Sequence, residues 1–155
     1  GEVRLELSPS KIRVSTARVV LTSKLIDGTF PDYERVIPQG NDKKMEVDNA
    51  AFAQAVDRVS TLSSDKGRAV KLTINDGKLV LSVNNPDSGS ATEELPVEYG
   101  FDPLEIGFNA RYLLDISGQL ESGTAEFQPA DPGSPTMVRD SKDVSALDVL
   151  MPMRV

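Results

Sequence analysis

The last seven residues, Val149-Leu-Met-Pro-Met-Arg-Val155, are the sharpest candidate in the chain, with two readings open: an ordinary last strand, or a surface that binds apolar partners. Val149 to Met151 read as part of a last strand, while Pro152 removes a ladder donor and pushes the chain to a sheet edge or out of the sheet. The two methionines flanking that proline offer soft, re-packable surface of the kind that accepts varied apolar partners. Catalytic alternatives lack their side chains. With no histidine and no cysteine in 155 residues, serine triads, His-ligated metals, thiolate zinc sites, thiol nucleophiles and disulfides have nothing to be built from. Asp140, Asp143 and Asp148 are irregularly spaced and lack the glycine and terminal glutamate of a calcium loop. Asn84-Asn-Pro-Asp-Ser-Gly89 is turn chemistry. Neither Gly-x-Ser-x-Gly, nor a phosphate-binding glycine loop with lysine, nor a dinucleotide fingerprint occurs. The expectation is no metal, no cofactor and no catalytic residue.

A second group is cationic. Gln54, Arg58 and Thr61 share one polar face of a helical stretch, with Lys66 and Arg68 in the loop after it. Such a face is most often simply solvated, and Asp57 beside Arg58 supports that reading. The formal charge of -7 argues against coating nucleic acid by general basicity but leaves a local basic face open. Arg111 and Asp115, four apart, read as a helix-surface pair.

These residues need elements to hold them. Residues 1 to 26 read as two strands, Val3 to Leu7 and Ile12 to Leu25, joined around Ser8-Pro9-Ser10; such a pair is marginal without more sheet. Gly28, Pro31 and Pro38 break regular structure. From Lys43 the pattern is a duplicated unit of strand, helix and three strands. Asp48 caps a helix carrying Phe52, Ala55 and Val59, and Asn109 caps another carrying Leu113, Ile116 and Leu120 at the same offsets. Asn75-Asp-Gly-Lys78 predicts a tight hairpin, and strands are expected near 91–98, 124–127, 136–139 and 147–154. The fold class is α+β, two helices packed on one side of curved antiparallel sheet. The 39% hydrophobic content suffices for one core, and no apolar run is long enough to span a bilayer.

Lys24-Leu-Ile-Asp-Gly-Thr-Phe-Pro-Asp-Tyr-Glu-Arg-Val-Ile-Pro38 and the terminal heptapeptide, in this order and at this separation, resemble the signature of the bacterial sliding clamp, the beta subunit of DNA polymerase III. The likeness extends through the chain between them. A clamp subunit carries three similar domains, so the resemblance implies a C-terminal fragment: residues 1–27 as closing strands of the second domain, 28–42 as connector, and 43–155 as the third clamp-type domain. Gly1, with no methionine ahead of a strand, fits that expectation. The implied function is that of a replication processivity factor, a ring around duplex DNA that tethers polymerases and repair proteins. It would be an accessory subunit in the cytoplasm, with no catalysis or cofactor of its own, loaded by a separate ATP-using clamp loader.

Clamp partners present a short peptide with a glutamine and a terminal apolar pair. By resemblance, Pro31, Arg35 and Val36 with Val149, Leu150 and Met151 would form the deep pocket for that pair. Pro152, Met153 and Arg154, with Asn109 and Tyr112, would line its upstream part. Several groove residues of clamps lie upstream of Gly1, so peptide binding by the fragment is expected to be weakened. Arg58, Lys66 and Arg68 would face the DNA without reading bases. Thr61 and Leu62 would dock on the first domain of a partner subunit in a head-to-tail homodimer, which the fragment is expected not to form. Two rivals stay open: a stand-alone peptide-binding adaptor without a DNA-encircling role, and a carboxylate-based hydrolase, for which no paired acid spacing is evident.

Overall fold

The computed structural model describes residues 1–63 and 68–155. The chain divides into two compact units, Gly1–Asp32 and Tyr33–Val155.

The first unit is an antiparallel sheet in the order β1 (Arg4–Leu7), β2 (Lys11–Ser15), β3 (Val20–Lys24). The single strand expected from Ile12 to Leu25 is thus two strands. Thr16 breaks it: its hydroxyl oxygen accepts from the Val19 amide at 3.1 Å, and its own amide donates to the Val19 carbonyl at 2.9 Å. Such a side-chain turn leaves the apolar alternation intact on both sides, which hides it from a pattern reading.

The second unit opens with a short 3₁₀ turn, Tyr33–Arg35, and a connector whose end is pinned by side chains. Asn41 Nδ2 donates to the carbonyls of Gln128 and Pro135 at 2.6 and 2.8 Å, and Lys43 Nζ to that of Ala130 at 2.9 Å. Then the strand-helix-three-strand unit runs twice. The first copy is β4 (Met45–Asp48), α1 (Asn49–Ser60), β5 (Ala69–Asn75), β6 (Lys78–Asn85) and β7 (Gly89–Pro96). The second is β8 (Leu104–Asn109), α2 (Ala110–Ser117), β9 (Thr124–Gln128), β10 (Thr136–Asp140) and β11 (Asp148–Leu150). Both helices start where the sequence places them: Asp48 accepts from the Ala51 amide at 2.8 Å, and Asn109 from the Arg111 amide at 2.9 Å. Gly77, at φ 67°, supplies the left-handed residue of the β5–β6 hairpin.

The copies exchange their first strands. One sheet runs β11-β10-β9-β4 and the other β7-β6-β5-β8, so each joins three strands of one copy to the opening strand of the other. Register lines up the apolar faces: Met45 opposes Phe127, which opposes Val138, and Ile106 opposes Leu72, which opposes Leu81. Phe52, Ala55, Val56 and Val59 of α1 and Leu113 of α2 close the same core. Phe52 meets Phe127 with the rings tilted by 58° and their centroids 5.1 Å apart. Asn49 Nδ2 donates to the Ser117 carbonyl at 2.9 Å, tying the start of α1 to the end of α2.

Two seams join the sheets. Glu98, just past β7, exchanges both backbone hydrogen bonds with Glu46 of β4, and Met153, past β11, donates to the carbonyl of Gly107 on β8. Counted from the two helix caps, Glu46 and Gly107 are equivalent positions. On the outer face, Glu126 is almost wholly buried, and burial raises its pKa. Hydrogen bonds from Arg139, Lys44 and Gln128 outweigh that effect and hold the carboxyl below its ordinary range.

Asp140, ending β10, is a second buried carboxylate. Its oxygens accept from the amides of Glu121 (3.0 Å), Ser122 (2.7 Å), Lys142 (2.8 Å) and Asp143 (3.3 Å), fixing loops on both sides. The adjacent Ser122 side chain and these amides hold its pKa far below the usual carboxylate range. A lowered folded-state pKa means that the stabilisation is full above the unfolded value near 4 and is lost as pH falls below it. Asp140→Asn is therefore expected to lower the thermal midpoint at neutral pH, with the gap to the native chain closing as melts are taken from about pH 5 down to about pH 2. A gap independent of pH would show that the charge contributes nothing. Phe52→Ala, which empties the centre of the shared core, is expected to cost about 3–5 kcal/mol in denaturant titrations followed by circular dichroism.

Candidate binding cleft at the C-terminal tail

β11 pairs with β10 through Asp148, Val149 and Leu150, opposite Val138, Met137 and Thr136. The ladder ends there. Pro152 has no N–H to offer, and the chain passes from β10 to β8, where the Met153 amide donates to the Gly107 carbonyl at 2.8 Å. The single strand expected over 147–154 is thus a short strand and a separate bridge, with Met151 and Pro152 strung between them.

Tyr112, Asp115 and Ile116 lie three and four apart on one face of α2, and across from them stand Val149, Leu150 and Met151. Together they enclose a cleft of about 310 Å³, at the small end for ligand pockets. Tyr112 is 58% exposed and Met151 59%, so two large side chains with apolar bodies face solvent at its mouth. Leu150 is buried and forms the floor. The charge nearby is weakly engaged: Asp115 approaches Arg111 at 3.9 Å, both well exposed, which contributes little. Burial raises the pKa of the Asp148 carboxyl at the start of β11. The cleft suits burial of an apolar side chain and presents no acid-base pair.

Of the residues expected here, Tyr112, Val149, Leu150 and Met151 come together. Pro152, Met153 and Arg154 instead line a second hollow of about 620 Å³ against β8, together with Gly107, Val155 and the Lys71–Glu105 ion pair (2.8 Å). The crossing to β8 turns those three residues toward a different wall. Asn109 spends its side-chain oxygen on the helix cap. Arg35 and Val36 belong to the exposed 3₁₀ turn and its end, where the Val36 amide donates to the Tyr33 carbonyl, and line neither hollow. Pro31 belongs to the first unit. Asp115 and Ile116 are cleft residues that sequence reasoning assigned elsewhere, to a surface pair and to the core. Their spacing from Tyr112 was the available signal.

Among the expected DNA-facing residues, Arg58 donates Nη2 to Glu93 Oε2 at 2.6 Å and Nε to Oε1, a two-pronged pair from α1 to β7 in which each partner favours the other's charged form. Arg68 is exposed with a left-handed backbone, φ 43°, and its carbonyl accepts from the Ala110 amide at 2.8 Å. Lys66 lies outside the described residues. Thr61 is exposed, its hydroxyl donating to the Arg58 carbonyl at 2.7 Å. Leu62 is half-buried on the core, and its carbonyl accepts from Asn85. Among the described residues no acidic cluster could hold a metal, and no helix is long and apolar enough to cross a membrane.

Comparison with known proteins places this geometry. Residues 34–154 match the family model for the DNA polymerase III beta subunit, C-terminal domain. The beta sliding clamp of Caulobacter vibrioides (strain NA1000 / CB15N) is 53% identical over 153 residues, 99% of this chain and 41% of that protein. That of Escherichia coli (strain K12) is 37% identical over 153 residues, covering 99% and 42%. The crystal structure of a sliding clamp (DNA polymerase III subunit beta) from Bartonella birtlesii bound to griselimycin superimposes with a TM-score of 0.94 at 59% identity, over 100% of this chain and 42% of that one. The chain spans about two-fifths of the length of these relatives. It belongs to the family of DNA polymerase III beta subunits, the sliding clamps, and corresponds to their C-terminal part.

Proposed function

We propose that this chain is the C-terminal part of a ring-shaped replication processivity factor, and that the cleft between α2 and the tail receives short peptides from polymerases, the clamp loader and repair proteins. The observation that carries this reading is the convergence of Tyr112 and Ile116 with Val149, Leu150 and Met151 around one apolar cleft. Burial of one or two apolar side chains, supplemented by backbone hydrogen bonds, gives modest affinity and lets partners replace one another. The Bartonella clamp, 59% identical, was crystallised with griselimycin, which makes that compound a natural probe.

In the intact ring, α1 would turn Arg58 toward the duplex, with Lys66 and Arg68 following in the segment after the helix, and Thr61 and Leu62 would meet the first domain of the next subunit in a cytoplasmic homodimer. Pro31, Arg35 and Val36 would complete the pocket wall there. Retention on DNA would come from encirclement, so the subunit needs neither catalysis nor cofactor. Family membership disfavours the stand-alone adaptor.

The test is fluorescence anisotropy with a labelled peptide carrying a glutamine and a terminal Leu-Phe pair, with griselimycin as competitor. Met151→Ala and removal of the last seven residues are each expected to weaken binding by about tenfold or more. Equal affinity in all three chains would remove the cleft from the function.

A further inference from the structure

Gly107 sits in the middle of β8, in ordinary extended backbone, so it is not there for a left-handed turn. Glycine inside a strand weakens it and usually marks a close approach of something else. Here the close approach is the tail. A Cβ at this position would lie 2.7 Å from the Met153 carbonyl oxygen and 2.9 Å from Cγ2 of Val155, and closer still to Cγ1 of Val155. Two of those contacts are with a side chain, but one is with backbone, which cannot swing aside alone.

The other seam shows what happens without this slot. At the equivalent position Glu46 carries a full side chain, and its partner Glu98 sits at ladder distance, with hydrogen bonds of 2.9 and 3.0 Å in both directions. At Gly107 the bridge is also antiparallel, with the Met153 amide 2.8 Å from the Gly107 carbonyl, and Val155 occupies the space a side chain would take. Leu150 is fixed to β10 opposite Thr136, and the next fixed point is Met153 on Gly107. Between them Pro152 cannot donate to any ladder, so the course of Met151 is set by its two ends.

Resting on the proposed peptide cleft, we infer that Gly107 is a positioning residue for it: the vacant side-chain space on β8 seats Met153 and Val155, and through them holds Met151 at the cleft mouth. Gly107 touches no ligand itself. Its effect travels along three residues of tail.

The experiment compares the native chain with Gly107→Ala and with Gly100→Ala, where a Cβ would meet nothing within 4 Å. Two quantities are read: hydrogen exchange of the Met153 amide by NMR, and affinity for the labelled Leu-Phe peptide. Gly107→Ala is expected to speed Met153 exchange and weaken the peptide by about tenfold each, with amides of β5 and β9 still protected, while Gly100→Ala changes neither. Unchanged exchange at Met153 overturns the seat. Faster exchange with unchanged affinity overturns the link from seat to cleft. If the native chain takes no peptide while Gly107→Ala still frees Met153, it is the cleft reading that has failed, and the positioning role falls with it. Should Gly107→Ala not fold, Gly107→Ala/Val155→Gly, in which the clash with the Val155 side chain is gone, is read by the same two measures.

Discussion

Everything in the second unit depends on the exchange of opening strands between its two copies. β4 lies on β9 and β8 lies on β5, so neither copy has a complete four-stranded sheet of its own. The apolar rows that result, Met45-Phe127-Val138 and Ile106-Leu72-Leu81, face one continuous core closed by both helices. Because hydrophobic burial scales with contiguous area, a merged core is worth more than two thin ones. The tail inherits its position from the same arrangement: it starts on one sheet and ends on the other, so the cleft exists only while the two sheets keep their spacing.

Much of this was legible in the residues. The two caps and their matched apolar offsets announced the duplication, because a 3.6-residue period and a side-chain cap are local properties. The exchange was not, since β4 and β8 have the same alternation whichever partner they choose. Thr16 split one expected strand in two because its side chain makes a turn without interrupting the pattern. At the site, Val149, Leu150 and Met151 were named by the resemblance to clamps, while residue type marked only the two methionines beside Pro152, and Pro152 announced the exit from the sheet. The landing of Met153 on β8 is a long-range pairing, and with it went the wall faced by Pro152, Met153 and Arg154. Ile116 was placed in the core, yet on α2 it both touches the core and edges the cleft.

The charges follow a similar economy. The chain carries 24 acidic against 17 basic side chains, and several of the cations are already engaged. Arg58 is held by Glu93, Lys44 and Arg139 by Glu126, and Lys71 by Glu105. A guanidinium already forked onto a carboxylate attracts a phosphate less than a lone one does. For the proposed ring, such muted contacts fit a protein that must move along a polyanion without gripping it.

The traded strands carry a further implication for how the molecule can be taken apart. Severing the connection between Val97 and Pro103 would put the two copies on separate polypeptides, each keeping three strands of one sheet, a helix and its own leading strand, with an open edge where the leading strand of the other had lain. Each sheet would then regain its fourth strand only from the opposite piece, so completing one sheet and completing the other are a single act of association.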